Sequence, residues 1–144
     1  MLATKIQPIQ FSELDPRQPI FRVREIPVYG DLILAPMDGF SDLPFRSICR
    51  ELGSAMAYTE FVNVNQVSHR KQAIESLLKF KYDPRERPVT FQIYGHAEDT
   101  LVEVAAQLQD LAPDIIDINM GCYVRGIAER GAGSGMLRDP GKIA

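Results

Sequence analysis

From Leu32 onward, the sequence alternates short apolar runs with longer amphipathic segments, and this order constrains the fold more than any other feature. Each run has the length of a strand. The runs are Leu32–Ala35, Ala55–Tyr58, Val89–Ile93 and Ile115–Ile118. A continuous apolar run such as Leu32–Ala35 is typical of a strand that is buried on both faces of a parallel sheet. Regular strand–helix alternation therefore predicts an α/β fold in which helices pack outside a parallel sheet.

The segments between these runs carry helix signals. The first has Ser41 or Asp42 as a candidate cap, Pro44 in its first turn and Gly53 at its end. The second helix is predicted over Ser68–Leu78, and the third begins near Ala97. Apolar residues at helical spacing predict the buried face of each helix. These are, in order, Phe45, Ile48, Cys49 and Leu52; Ile74, Leu77 and Leu78; and Leu101, Val104, Ala105 and Leu108.

The two ends of the chain differ from this pattern. Residues 1–20 are polar and contain three prolines, so they predict an irregular N-terminal extension. The apolar stretches Phe21–Val23 and Ile26–Tyr29 predict a short β-hairpin. A fourth helix is expected to begin at Asp139 or Pro140. Residues 21–144 then form one domain, and its four βα units fit either a doubly wound sheet or half of a (β/α)8 barrel, which needs about 250 residues.

Composition narrows the class of protein without naming a function. Apolar residues make up 45% of the chain, which is enough to form a core, and the formal charge of −3 predicts no strong electrostatic attraction to nucleic acid. Neither a secretory signal nor a membrane span is present in the sequence, and two cysteines do not make a disulfide framework. A cytoplasmic protein is expected. His69 and His96 lie far from any carboxylate cluster, so no metal site is predicted.

Polar and unusual residues follow each of the four predicted strands. They are Pro36–Gly39, Thr59–Phe61, Gln92–His96 and Asn119–Cys122. In parallel α/β folds, functional sites are built at the carboxyl ends of the strands. Four such clusters at successive strand ends predict an enzyme whose site is shared between several loops.

The motifs in and around these clusters resemble those of tRNA-dihydrouridine synthases in both order and spacing. They are Leu34–Met37, Asp42–Arg46, Leu52-Gly53, Tyr58–Glu60, Phe91–Gly95, Asp117–Cys122, Gly131–Gly133 and Leu137–Pro140. The resemblance implies a parallel (β/α)8 TIM barrel that binds FMN, reduces uridine in tRNA to 5,6-dihydrouridine and takes electrons from NADPH. This chain would be the N-terminal half of that barrel. The later strands, which hold the cofactor phosphate, and a C-terminal helical domain that binds tRNA would be absent.

The resemblance also assigns roles to individual residues. Pro36, Met37 and Asp38 match the turn that lines the flavin, largely through backbone groups. Gln92 matches the glutamine whose amide contacts the polar edge of the flavin ring. Asn119 matches the asparagine beside the uracil, and Cys122 matches the general acid that protonates uracil C5. In addition, Glu60 is expected to order the site through hydrogen bonds.

Two positions depart from the family pattern. Tyr123 stands where proline usually follows the catalytic cysteine, and Gly126 stands where lysine is common. Glycines 131, 133 and 135 do not complete a phosphate-binding motif, because Met136 occupies the final glycine position, so a tight structural turn near the site is expected instead. The alternatives are another FMN barrel, similar to dihydroorotate dehydrogenases, or an inactive truncated half-barrel that self-associates through exposed sheet edges.

Overall fold

A computed structural model describes residues 18–68 and 70–143. Most of the predicted extension over residues 1–20, together with His69, lies outside these residues. The first element is the predicted hairpin, which consists of β1 (Phe21–Val23) and β2 (Ile26–Val28). The two strands are antiparallel, and Phe21 pairs with Val28. Val28 is completely buried, so the hairpin is attached to the rest of the molecule by its second strand.

The predicted parallel sheet is confirmed. It consists of β3 (Ile33–Leu34), β4 (Met56–Tyr58), β5 (Val62–Asn63), β6 (Val89–Tyr94) and β7 (Ile115–Ile118). β6 is the central strand, and every pairing in the sheet is parallel. β4 pairs with the beginning of β6 and β5 with its end, on the same edge, while β7 occupies the opposite edge. The short strand β5 was not predicted from the sequence.

Helices lie between the strands, as the alternation predicted. They are α1 (Leu43–Glu51), α2 (Val64–Ser68), α3 (Arg70–Leu78), α4 (Glu98–Leu108) and α5 (Arg125–Ala128). Asp42 caps α1, because its Oδ1 accepts the Phe45 N–H at 3.0 Å, and Gly53 follows the helix with a φ of 107°. The helix expected near Asp139 is instead a single 3₁₀ turn over Pro140–Lys142.

The main core lies between β6 and α4. Val89, Phe91 and Ile93 point from β6 toward Leu101, Val104 and Leu108 of α4, and all six are at least 95% buried. Phe80 adds a ring that stacks on Phe91, with the two centroids 4.7 Å apart. The predicted buried face of α4 is therefore correct, and Ala105 packs at the edge of this core.

The predicted inner faces of α1 and α3 are wrong. Phe45 and Leu52 are 41% and 73% exposed, and Cys49 is only half-buried, whereas the fully buried residue of α1 is Arg46. Periodicity counts apolar residues only, but a guanidinium can be buried when its hydrogen bonds are satisfied. In α3, Ser76 is buried while the apolar positions are exposed. Those positions are Ile74, Leu77 and Leu78. The first strand was also expected to be buried on both faces, but Ile33 is 44% exposed.

Candidate active site

The polar residues of the sheet share the face opposite to α4. Parallel pairing places Tyr58 beside Thr90 and Gln92 beside Asp117. Side chains paired in register point to the same face, and residues two apart on one strand do so as well. Tyr58, Thr90, Gln92 and Asp117 therefore line one surface, which continues into the loop after β7.

A hydrogen-bonded chain joins three polar residues of this surface. The Nε2 of Gln92 donates to Asp117 Oδ2 at 2.6 Å, and the Nδ2 of Asn119 donates to Gln92 Oε1 at 3.0 Å. A carboxylate only accepts hydrogen bonds, so Asp117 fixes which end of the Gln92 amide carries the nitrogen. Gln92 is 6% exposed, and its backbone N–H donates to Thr59 Oγ1 at 3.3 Å. Asp117 had no predicted role, although it stands in the same motif as Asn119.

Asn119 extends this chain to Cys122. Its Oδ1 accepts the backbone N–H of Gly121 at 3.0 Å and that of Cys122 at 2.9 Å. The side chain of Asn119 thus shapes the loop that follows β7. Cys122 is half-buried and makes no disulfide. The structure therefore brings together Gln92, Asn119 and Cys122, three of the six residues predicted to form the site.

The other three predicted residues lie in the turn after β3, which is hydrogen-bonded within itself. The Met37 N–H donates to Ser41 Oγ at 2.9 Å, and the Met37 carbonyl accepts the N–H groups of Phe40 and Ser41. Pro36 has no N–H to offer. The backbone groups of Met37 are thus engaged inside the turn, and the residue is 37% exposed.

A lysine fastens this turn to the end of β4. Lys79 Nζ lies 2.5 Å from Asp38 Oδ1 and 3.5 Å from Glu60 Oε1, and the same Glu60 oxygen accepts the Gly39 N–H at 2.7 Å. Burial by itself lowers the pKa of Lys79, but its hydrogen bond to Asp38 and the charges of both carboxylates outweigh this, so the pKa is raised. Glu60 orders the turn through hydrogen bonds, as expected. Nothing in the sequence pattern indicated Lys79, which follows a helix far along the chain.

Two groups on the polar surface show the effect of burial. Burial and then the negative charge of Asp117 raise the pKa of Tyr58, because both disfavour the phenolate. Thr90 is completely buried, and its hydroxyl has no hydrogen-bond partner among the described residues. A buried and unpaired hydroxyl is costly, and the described residues do not supply a hydrogen-bond partner for that of Thr90.

Over residues 18–68 and 70–143, no group of three or more His, Cys, Asp and Glu side chains is arranged to hold a metal ion. His96 is exposed at the end of β6. In the same part of the chain, no helix combines the length and the apolar character needed to cross a membrane.

Comparison with known proteins identifies the family. The model of the dihydrouridine synthase (Dus) family matches residues 33–144. The chain belongs to the dihydrouridine synthase family. It is 38% identical over 127 residues to tRNA-dihydrouridine synthase B of Pseudomonas aeruginosa, an alignment that covers 87% of this chain and 37% of that protein.

Other dihydrouridine synthases match a similar share of the chain. The probable tRNA-dihydrouridine synthase 1 of Synechocystis is 31% identical over 120 residues, which is 83% of this chain and 33% of that protein. The probable tRNA-dihydrouridine synthase of Aquifex aeolicus is 33% identical over 112 residues, or 77% of this chain and 34% of that protein. The chain spans about a third of the length of the curated dihydrouridine synthases that it matches. The resemblance inferred from the strand-end motifs is confirmed.

Proposed function

We propose that the protein carrying this chain reduces uridine to 5,6-dihydrouridine in tRNA, with FMN as the cofactor and NADPH as the reductant. One observation supports this most directly: the hydrogen-bonded chain from Asp117 through Gln92 and Asn119 to Cys122. It connects the backbone of Cys122 to an oriented pair of amides at the carboxyl end of a parallel sheet. The matched relatives carry the name of this activity, which favours it over the alternative similar to dihydroorotate dehydrogenases.

The residues of the site fit a flavin ring. After its bonds to Asp117 and Asn119, the Gln92 amide keeps one N–H and one lone pair, which suits a ring edge that alternates donors and acceptors. Pro36, Met37 and Asp38 would hold the cofactor from the turn after β3. Because the backbone of Met37 is already engaged, its contribution would come from its exposed side chain. When bound, FMN supplies the hydride for uracil C6.

Cys122 would supply the proton for uracil C5. A protonated thiol can act as a general acid that gives its proton to carbon in the transition state. Asn119 would contact the uracil and, at the same time, holds the Cys122 N–H. The base must leave its stack in the RNA to reach this position. Tyr123 replaces the usual proline, so hydrogen bonds, rather than a proline ring, restrain the loop at the thiol.

The proposed function is tested by gene deletion combined with chemical analysis of the tRNA. The gene that encodes this chain is deleted from its host, and dihydrouridine in purified tRNA is quantified by nucleoside mass spectrometry. We expect the loss of dihydrouridine at one or more positions, with restoration by the wild-type gene. An unchanged dihydrouridine content in a host that has no second enzyme for the same position would refute the proposed function.

A further inference from the structure

Gly133 lies against the backbone of Cys122. Its φ of 55° is in the left-handed region, which strains other residues. A Cβ added at Gly133 would lie 2.6 Å from the Cys122 carbonyl oxygen and 3.0 Å from the Cys122 Cβ. Both distances are shorter than ordinary contacts between these atoms. Glycine is therefore required here for two independent reasons, and one of them is the position of Cys122 itself.

The next residue adds a hydrogen bond. The Ser134 N–H donates to the Cys122 carbonyl at 2.9 Å, while on the other side Asn119 Oδ1 accepts the Cys122 N–H at 2.9 Å. Both backbone polar groups of Cys122 are thus held, each by a different segment of the chain. Restraint from both sides limits rotation of the peptide planes on either side of the thiol.

The turn that contains Gly133 is itself firmly anchored. Ala132 and Met136 are 4% and 6% exposed, and Met136 belongs to the main core. Gly135 is packed so closely that a Cβ there would lie 2.2 Å from the carbonyl oxygen of Ala128. The segment 131–136 can therefore act as a rigid support, since it is fixed to the core on one side and to Cys122 on the other.

We propose that Gly133 and Ser134 are positioning residues for the Cys122 thiol: the bare α-carbon of Gly133 and the N–H of Ser134 hold Cys122 at its carbonyl group, while Asn119 holds its N–H. The catalytic part of this proposal rests on the proposed function, in which Cys122 donates the proton. The glycine-rich segment thus contacts the protein's own cysteine loop.

Gly131 provides a matched control. Its φ of 80° is also left-handed, but a Cβ added there meets nothing within 4 Å. Gly133→Ala and Gly131→Ala therefore introduce a similar backbone strain, and only the first collides with Cys122. Both variants are expected to lower the melting temperature. Only Gly133→Ala is expected to move the thiol.

The test measures alkylation by iodoacetamide at Cys122 and at Cys49 in the same sample, by peptide mass spectrometry under native conditions. For Gly133→Ala we expect labelling of Cys122 to be about threefold faster or more, because thiol reactivity depends on access, while the rate at Cys49 stays at the wild-type value. For Gly131→Ala both rates should remain unchanged. The proposal is overturned if Cys122 keeps its wild-type rate in Gly133→Ala, or if both variants accelerate it equally.

A second measurement covers the case in which Gly133→Ala does not fold. Amide hydrogen exchange in the wild-type protein is read at Ser134 by fragmentation of the labelled peptides. Slow exchange is expected if Cys122 accepts this N–H, and exchange at the rate of an unprotected amide would overturn the proposal. Neither measurement needs flavin or tRNA, so the result is independent of the outcome of the gene deletion.

Discussion

The side-chain amides of Gln92 and Asn119 are hydrogen-bonded to each other, with Asn119 Nδ2 donating to Gln92 Oε1 at 3.0 Å. Each amide also has a partner that fixes its orientation: Gln92 donates to Asp117, and Asn119 accepts the N–H of Cys122. Replacing either amide therefore removes hydrogen bonds on both sides of it, toward Asp117 and toward Cys122. These hydrogen bonds link Gln92, which we propose contacts the cofactor, with Cys122, which we propose donates the proton.

The first prediction concerns Gln92. In the complete enzyme, Gln92→Ala should weaken FMN binding by about 1–3 kcal/mol, the cost of leaving a buried polar edge without its partner. It also removes the acceptor of Asn119. The affinity is measured by fluorescence titration of the protein with FMN. Gln107→Ala is the control, because Gln107 is an exposed residue on α4 whose side chain, among the described residues, hydrogen-bonds only to Glu103. Equal affinities in the Gln92 variant and the wild type would mean that this side chain does not contact the flavin.

The second prediction concerns pH. The pKa of Tyr58 is raised, first by burial and then by the charge of Asp117. The folded state therefore favours the neutral phenol. This contribution to stability is complete below the ordinary tyrosine pKa of about 10 and is lost as the pH rises through the pKa of Tyr58 in the folded protein. Asp117→Asn should lower the pKa of Tyr58 but leave it above the ordinary value, because burial is the larger cause. Tyrosinate absorbance measured during an alkaline titration, with Tyr58→Phe to identify the signal, checks this. An unchanged titration in Asp117→Asn would contradict it.

The third prediction concerns the buried ion pair of Arg46 and Glu86. The two side chains are 0% and 1% exposed, and Arg46 Nε lies 2.9 Å from Glu86 Oε2. Arg46 also donates to the carbonyls of Ser41 and Lys81, which ties the turn after β3 to the segment before β6. Arg46→Met should lower the free energy of unfolding by about 3–5 kcal/mol, because it leaves the buried Glu86 carboxylate without its oppositely charged partner.

Urea denaturation followed by circular dichroism measures this change. Arg125→Met is the control, since the Arg125 side chain is 89% exposed and its ion pair with Glu129 lies on the surface, and it should leave the midpoint unchanged. Double replacement of Arg46 and Glu86 by apolar residues should recover part of the loss, because no lone charge then remains buried. If Arg46→Met alone is as stable as the wild type, the pair does not hold these segments together.

The same arginine shows where sequence reasoning succeeded and where it failed. Strand positions, the Asp42 cap and the buried face of α4 follow from local chemistry, and the structure has them. The orientation of α1 does not follow from local chemistry. It depends on Glu86, forty positions from Arg46, and no local pattern reveals a distant carboxylate. Asp117 and Lys79 were missed for the same reason: their partners come from other strands and loops. The motif resemblance located Gln92, Asn119 and Cys122, but not the bonds between them.

The fourth prediction concerns the edges of the sheet. Among residues 18–68 and 70–143, β3 and β7 each pair with another strand on one side only, and Ile33 on β3 is 44% exposed. Unpaired edges promote association, and a lysine on the edge suppresses it. We expect the 144-residue chain, when expressed alone, to self-associate, and Ile33→Lys to reduce its mean mass in light scattering. A monodisperse wild-type monomer would contradict this expectation.

The fifth prediction separates the two half-reactions of the proposed enzyme. Electron transfer from NADPH to FMN needs no proton from Cys122, whereas reduction of uracil at C6 leaves a charge at C5 that a proton must neutralise. In the complete enzyme, Cys122→Ala should therefore leave the NADPH-dependent loss of flavin absorbance unchanged, yet slow tRNA-dependent reoxidation without oxygen by about 10²–10⁴-fold, the usual contribution of a positioned general acid. Both rates are measured by anaerobic stopped-flow absorbance.

Cys49→Ala is the control, because Cys49 is a half-buried thiol on α1, and it should reoxidise at the wild-type rate. If Cys122→Ala also reoxidises at that rate, another group donates the proton.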